Sequence, residues 1–280
     1  MNVHCKYFFA DEIKSWSNVI AVAVLDKELY LLAAASPRLD VCEAVSFKSR
    51  GSITIPGLEQ SQFVVDMTAC SFYRCLYFAD AQNTRIIRLE VPSKYKNWPV
   101  EDINKDSVIS VTSSHDLLVL CGKSNKLKLF GTDGVLRSTI ALEPGHVTCA
   151  VEFATPGQYL VTHGRDSPLH RVCIVNSEGK ILRAYGGFKG SYDRLLDNPS
   201  SFAVDNDGFV YVDDEANNRL VVLTSTLEFI QSSPSVFPTC LPHFHRRMKM
   251  DDLKHVYVSY LKCGYREKVR CLEVFDSVCE

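Results

Sequence analysis

Residues 75–91, CLYFADAQNTRIIRLEV, and residues 209–223, FVYVDDEANNRLVVL, are two copies of one pattern: an apolar strand, a short polar loop, then a basic residue that opens a second alternating strand. Both loops carry D-x-x-N-x-R, as Asp80, Asn83 and Arg85 in the first and Asp214, Asn217 and Arg219 in the second. Asp and Asn side chains hydrogen-bond the backbone of their own loop, and a guanidinium forks onto a carboxylate or carbonyl. The motif is therefore assigned to holding the loop rather than to a ligand.

Four weaker copies follow outward from these two. ELYLLAAASPRLDV carries the basic residue at Arg38, LLVLCGKSNKLKLF at Lys126, YLVTHGRDSPLHRVCIV at Arg171 and HVYVSYLKCGYREKVRCLEV at Arg270. The six anchors stand 47, 41, 45, 48 and 51 residues apart, the spacing of one four-stranded propeller blade per repeat rather than of a helical solenoid. Asp-Gly at 133–134 and Glu-Gly at 178–179 mark tight hairpins into a last strand. The expectation is all-β: a six-bladed β-propeller of four-stranded antiparallel blades filling residues 1–280, with blades near 15–60, 61–104, 105–144, 145–187, 198–234 and 236–280. The sixth copy runs out at FDSVCE before a fourth strand, so residues 6–13 are expected to close the ring against it and seal its open edge.

Composition narrows the function classes. The chain is 46% hydrophobic and 23% charged, with 31 Lys plus Arg against 33 Asp plus Glu, so it has the means to build a large core and no global attraction to nucleic acid or anionic membrane. Residues 1–14 lack the basic start and apolar run of a secretory signal, and no stretch of about 18 apolar residues occurs. A cytoplasmic location, no membrane association and reduced thiols are expected for the 11 cysteines, several of which, such as Cys149, Cys173 and Cys271, lie among alternating apolar residues. No C-x-x-C pair exists; Cys70 and Cys75 are the nearest two, and no zinc module can be assembled from them.

The stretch 186–223, GGFKGSYDRLLDNPSSFAVDNDGFVYVDDEANNRLVVL, resembles an NHL repeat, with its glycines, Pro, Ala-Val-Asp, Asp-Gly, Tyr-Val and Asn-x-Arg in succession. The other copies depart from it: Cys121 stands in the place of the motif Asp, Ser124 in that of the Asn, and blade four carries a longer loop. NHL propellers form the C-terminal part of TRIM-type and malin-type ubiquitin ligases, where they bind substrate proteins or single-stranded RNA. The resemblance thus implies a module that recognises a protein partner, linked to ubiquitin-dependent degradation, with ligase activity only if another segment or chain supplies a RING. RNA binding in post-transcriptional repression is the alternative. A further one is a metal-dependent hydrolase resembling the six-bladed lactonases.

In a propeller the loops between second and third strands share one face with the blade-to-blade connections. That face should present Lys123, Lys126, Arg165, His170 and Arg171 from blades three and four, Phe188, Lys189, Tyr192 and Arg194 from the following connection, and Arg266 and Lys268 from blade six. Cations interleaved with aromatics suit phosphate contact and base stacking, whereas the acidic Asp213, Asp214 and Glu215 on the same side make the surface mixed and suit a protein. His243, His245 and His255 with Cys240 do not have zinc spacing, and no metal is expected there. Arg246, Arg247 and Lys249 are read as a solvated turn on the opposite face. Asp205 and Asp207 look like hairpin-turn residues, and no nucleophile–base or paired-carboxylate set can be assembled. The chain is accordingly expected to use no cofactor and not to be an enzyme.

Overall fold

In the computed structural model the described residues are 6–7, 19–33, 36–58, 63–91, 94–234, 247–250, 255–263 and 268–276; side chains are described throughout these except at 6–7, at 247 and in 255–276, where Tyr257 alone is. The strands run β1 (Lys6–Tyr7), then β2 (Val19–Leu25), β3 (Glu28–Ala33), β4 (Arg38–Glu43) and β5 (Ser49–Thr54), then β6 (Val64–Cys70), β7 (Cys75–Asp80), β8 (Arg85–Glu90) and β9 (Lys94–Pro99). Next come β10 (Val108–Val111), β11 (Leu117–Cys121), β12 (Lys126–Phe130) and β13 (Leu136–Ala141), followed by β14 (His146–Glu152), β15 (Gln158–Gly164), β16 (Leu169–Asn176) and β17 (Ile181–Phe188). β18 (Pro199–Val204), β19 (Val210–Asp214), β20 (Arg219–Leu223) and β21 (Phe229–Pro234) precede β22 (Arg247–Met250), β23 (His255–Cys263) and β24 (Lys268–Asp276). The helical content of the described residues is two single 3-10 turns, Gly122–Ser124 and Glu215–Asn217. No helix among these residues is long and apolar enough to cross a membrane.

The molecule is an all-β propeller of four-stranded antiparallel blades. Five blades are contiguous in the chain: β2 to β5, β6 to β9, β10 to β13, β14 to β17 and β18 to β21. The sequence predicts six blades, the last completed by an N-terminal strand; beyond the five contiguous blades, the remaining four-stranded sheet draws on both ends of the chain, in the order β1, β24, β23, β22, with Lys6 opposite Asp276 and Tyr7 opposite Phe275. Residues 8–13, expected in the same closing strand, lie outside the described residues.

Packing explains why the inner strands read as unbroken apolar runs instead of alternating ones. Each blade is covered on both faces by its neighbours, so β7, CLYFAD, and β11, LLVLC, are buried at every residue. The outermost strands face solvent: β9, KYKNWP, and β13, LRSTIA, bury one residue each, Trp98 and Ile140. Short length, with two lysines and a proline in β9 and an arginine in β13, blunts these rim edges against pairing with another chain. The core is accordingly a set of layers between blades, one joining Leu118, Val161 and Phe202, another joining Tyr30, Met67 and Phe78.

At the axis the first strands pack in succession, β2 on β6, β6 on β10, β10 on β14, β14 on β18, β18 on β22, and β22 and β23 on β2. Their axial edges pair with none of the described strands, and side chains of the preceding blade satisfy several of the freed backbone groups. Asp66 accepts from the Ile109 N–H at 2.9 Å, Ser110 donates to the Ala150 carbonyl at 3.3 Å, Thr148 donates to the Pro199 carbonyl at 3.0 Å, and Ser201 accepts from the Met248 N–H at 3.0 Å. The basic stretch expected in a turn is partly strand instead: Arg247 and Lys249 belong to β22, and Lys249 donates to the Ile109 carbonyl at 3.3 Å with its ammonium 3.9 Å from Asp66. An apolar neighbourhood and a paired carboxylate accommodate a lysine whose aliphatic stem is covered. Arg246 lies outside the described residues.

Candidate binding face

The two D-x-x-N-x-R loops have the same construction. In blade two, Asp80 accepts from the Asn83 backbone at 3.2 Å, from the Asn83 amide at 2.8 Å and from Arg85 Nε at 2.8 Å, while Arg85 Nη2 donates to the Gly57 carbonyl at 2.6 Å. In blade five, Asp214 accepts from Asn217 at 2.8 Å, from Arg219 Nε at 2.7 Å and from the Asp197 N–H at 2.6 Å. Arg219 continues onto the Ser191 and Leu195 carbonyls and Asn217 onto that of Gly190, at 3.3, 2.6 and 2.9 Å. The loop thus ties its own blade to the connection that enters it.

That connection, residues 189–198, is held closely and still presents its largest side chains to solvent. Lys189 bridges Leu196, Gly190 N–H donates to the Leu196 carbonyl, Leu195 N–H to that of Tyr192, and Leu196 is fully buried beneath. On this frame Phe188 is 76% and Tyr192 82% exposed. Arg194 is exposed beside them, and Lys189 lies 3.4 Å from Asp197.

Toward the axis, Arg165 takes Asn198 Oδ1 on its backbone N–H at 2.8 Å and sets its guanidinium 4.0 Å from the buried Asp106 carboxylate. His146, at the head of β14, lies in the field of both; burial first, then Arg165, holds its imidazole below the usual range against the pull of Asp106, and its Nε2 has no hydrogen-bond partner among the described residues. Deeper in blade four, burial pushes the His163 imidazole down to about 4, with the Arg171 charge acting the same way. Neutral imidazoles beside a guanidinium have the chemistry to accept a proton and to steady the anion left behind. Among the described residues no group of three or more His, Cys, Asp or Glu could hold a metal, and His243, His245 and Cys240 lie outside them. Asp205 spends its carboxylate on its own turn, accepting from the Asp207 and Phe209 N–H groups and the Tyr211 hydroxyl.

The residues expected on this face divide. Phe188, at the end of β17, and Lys189, Tyr192 and Arg194 of the connection are all exposed, and the Arg165 backbone is tied to the connection through Asn198 while its side chain turns to Asp106. Lys123 is exposed on the blade-three loop, with Lys126 partly buried at the head of β12. His170 and Arg171 turn inward: His170 accepts from the Asn198 N–H at 2.7 Å and contacts the Ser167 carbonyl, and Arg171 pairs with Glu143 at 2.5 Å. Both are spent on fastening connections, the reason being that β16 lies beneath residues 142–145 and 189–198. Asp213, Asp214 and Glu215 are buried, which removes the acidic patch expected from the sequence. Arg266 lies outside the described residues, and Lys268 is described only as the first residue of β24. Asp106, His146, His163 and Asn198 have no motif in the linear chain, because they come from two separate connections and two separate strands.

No family model matches the chain, and no curated protein sequence shows significant similarity to it. Solved structures do share its fold. Virginiamycin B lyase from Staphylococcus aureus superposes over 100% of this chain and 89% of its own, with a TM-score of 0.64 at 12% identity. A catalytically inactive histidine-to-alanine variant of that lyase with quinupristin covers 98% and 88%, again at 0.64 and 12%. Hydrazine synthase from Kuenenia stuttgartiensis covers 86% and 92%, at 0.59 and 10%. At this identity the likeness is one of fold, and it places the chain in the class of β-propellers. It also corrects the expectation that the chain is not an enzyme: the fold it shares is one on which lyases are built. Catalytic groups of a propeller converge from different blades, so the lack of a linear motif was no argument against them.

Proposed function

We propose that the chain is a six-bladed propeller of NHL-like loop construction, closed by its N-terminal strand, which binds a protein segment on the face built by residues 189–198. The pairing of β1 with β24 and the packing of β22 on β2 support the closed ring. The duplicate Asp–Asn–Arg loops support the NHL-like construction. One observation carries the binding reading: two aromatic side chains more than three-quarters exposed on a backbone held by hydrogen bonds to the next blade. Exposed aromatics on an ordered frame lose little conformational entropy on docking, and burying each contributes roughly 1.5–3 kcal/mol. Lys189 and Arg194 beside them favour a segment with an apolar anchor and a carboxylate. Presentation of that partner for ubiquitin transfer would require a RING from another segment or chain.

Selection of peptides from a random library on the intact chain, followed by fluorescence polarisation, tests this. The double substitution Phe188→Ala with Tyr192→Ala should weaken the selected peptides at least about tenfold while leaving the melting temperature unchanged. Equal affinity in the variant would remove the site. A single-stranded oligouridine serves as the RNA arm: tight binding that falls steeply with salt and survives the double substitution would replace the protein reading with RNA recognition.

A further inference from the structure

Cys70 ends β6 and Cys75 begins β7, and the antiparallel register sets them directly opposite one another at the root of the hairpin. Opposed residues of an antiparallel pair have Cα atoms about 4.5 or about 5.5 Å apart, and a disulfide spans Cα separations of about 4.4–6.8 Å, so either kind of position admits the bond. The two thiols are free and hydrogen-bonded to each other, and Arg88 Nε donates to Cys75 Sγ at 3.4 Å. Both are buried, at 2% and 0%, but the four residues that cap them, 71–74, are all exposed, so opening the hairpin tip by a single turn admits a small reagent.

We propose that Cys70 and Cys75 form a thiol–disulfide pair, oxidised by hydrogen peroxide and restored by a dithiol. Cys70 Sγ attacks one peroxide oxygen and the O–O bond breaks, giving a sulfenic acid and water once the departing hydroxide takes up the thiol proton. Cys75 Sγ then attacks Cys70 Sγ; the S–S bond forms, the S–O bond breaks, and the hydroxyl leaves as water with the Cys75 proton. Two thiols lose two electrons, and one peroxide becomes two waters. The shared proton assigns the roles: the Cys75 S–H donated to Cys70 holds that thiol down to about 6, while the same bond holds Cys75 up. Arg88 offers a fixed positive charge to the sulfur pair.

The position of Arg74 between the two cysteines makes the test direct. Trypsin releases residues 51–74, in which Cys70 is the sole cysteine, and residues 75–85, in which Cys75 is. Peroxide treatment of the folded chain should join these two peptides at a mass two hydrogens below their sum, and dithiothreitol should separate them. Cys75→Ser should leave a sulfenic acid on Cys70 that dimedone traps, and Cys70→Ser should leave Cys75 unlabelled. If both peptides retain free thiols after peroxide while other cysteines of the chain are oxidised, or if Cys70 is joined to a different cysteine, the proposal fails. The wild-type peptide result stands independently of whether either variant folds.

Discussion

Arg219 joins three stretches of chain through one side chain, with bonds to the carboxylate of Asp214 and the carbonyls of Ser191 and Leu195. Asp214 itself is fully buried, and desolvation lifts it above the ordinary carboxylate range despite its donors. Removing the guanidinium leaves that charge short of a partner, a loss of about 3–5 kcal/mol for a buried pair broken on one side. Arg219→Ala should therefore lower stability in urea unfolding by that order, and Arg219→Lys should recover only part of it because an ammonium lacks the fork. A variant as stable as the wild type would mean the motif does not hold the loop. The residue identities of this network were legible, since D-x-x-N-x-R occurs twice at blade spacing. Its targets, Gly57 in one copy and Ser191 and Leu195 in the other, were not, because they lie 24 to 28 residues upstream and are backbone atoms that any side chain could accompany.

The hairpins between third and fourth strands of blades three and four dock on the blade before, Gly134 against Trp98 and Gly179 against Ala141. In the turn between β16 and β17, Asn176 Oδ1 accepts from the Glu178 and Lys180 N–H groups, and Gly179 adopts φ +79°. A Cβ there would stand 1.9 Å from the Ala141 carbonyl oxygen of β13. Gly157 has φ +79° as well, but a methyl group there would meet nothing within 4 Å, so this position isolates the backbone part of the cost. Gly157→Ala should cost about 1–2 kcal/mol and Gly179→Ala roughly twice that or more, read from thermal unfolding. Equal losses would show that the turn does not bear on the previous blade. Glu-Gly announced the turn between β16 and β17 in the sequence, as Asp-Gly did the one between β12 and β13. The bulges near the heads of β2, β6, β14 and β18 left no such mark, since they arise where one strand must curve around the axis.

For the ring as a whole, β1 covers the outer edge of β24 with two paired residues, Lys6 and Tyr7. Deleting residues 1–7 exposes that edge and removes a few ladder bonds, each worth about 0.5–1.5 kcal/mol. The melting temperature should fall by about 2–6 °C and the truncated chain should self-associate in sedimentation. An unchanged melting temperature with a monomeric profile would show that the ring closes without this strand. What the sequence determined by itself was the repeat: strand composition, polar loops and basic anchors recur every 41 to 51 residues, and local propensity with turn chemistry suffices to specify a blade. Tertiary structure alone decided which of the loop residues meet, turning His170, Arg171 and the acidic trio inward and drawing Asp106, His146 and Arg165 together. The physical reason is that strand pairing is local and leaves its pattern along the chain, whereas a surface assembled between blades depends on how separate sheets stack about an axis.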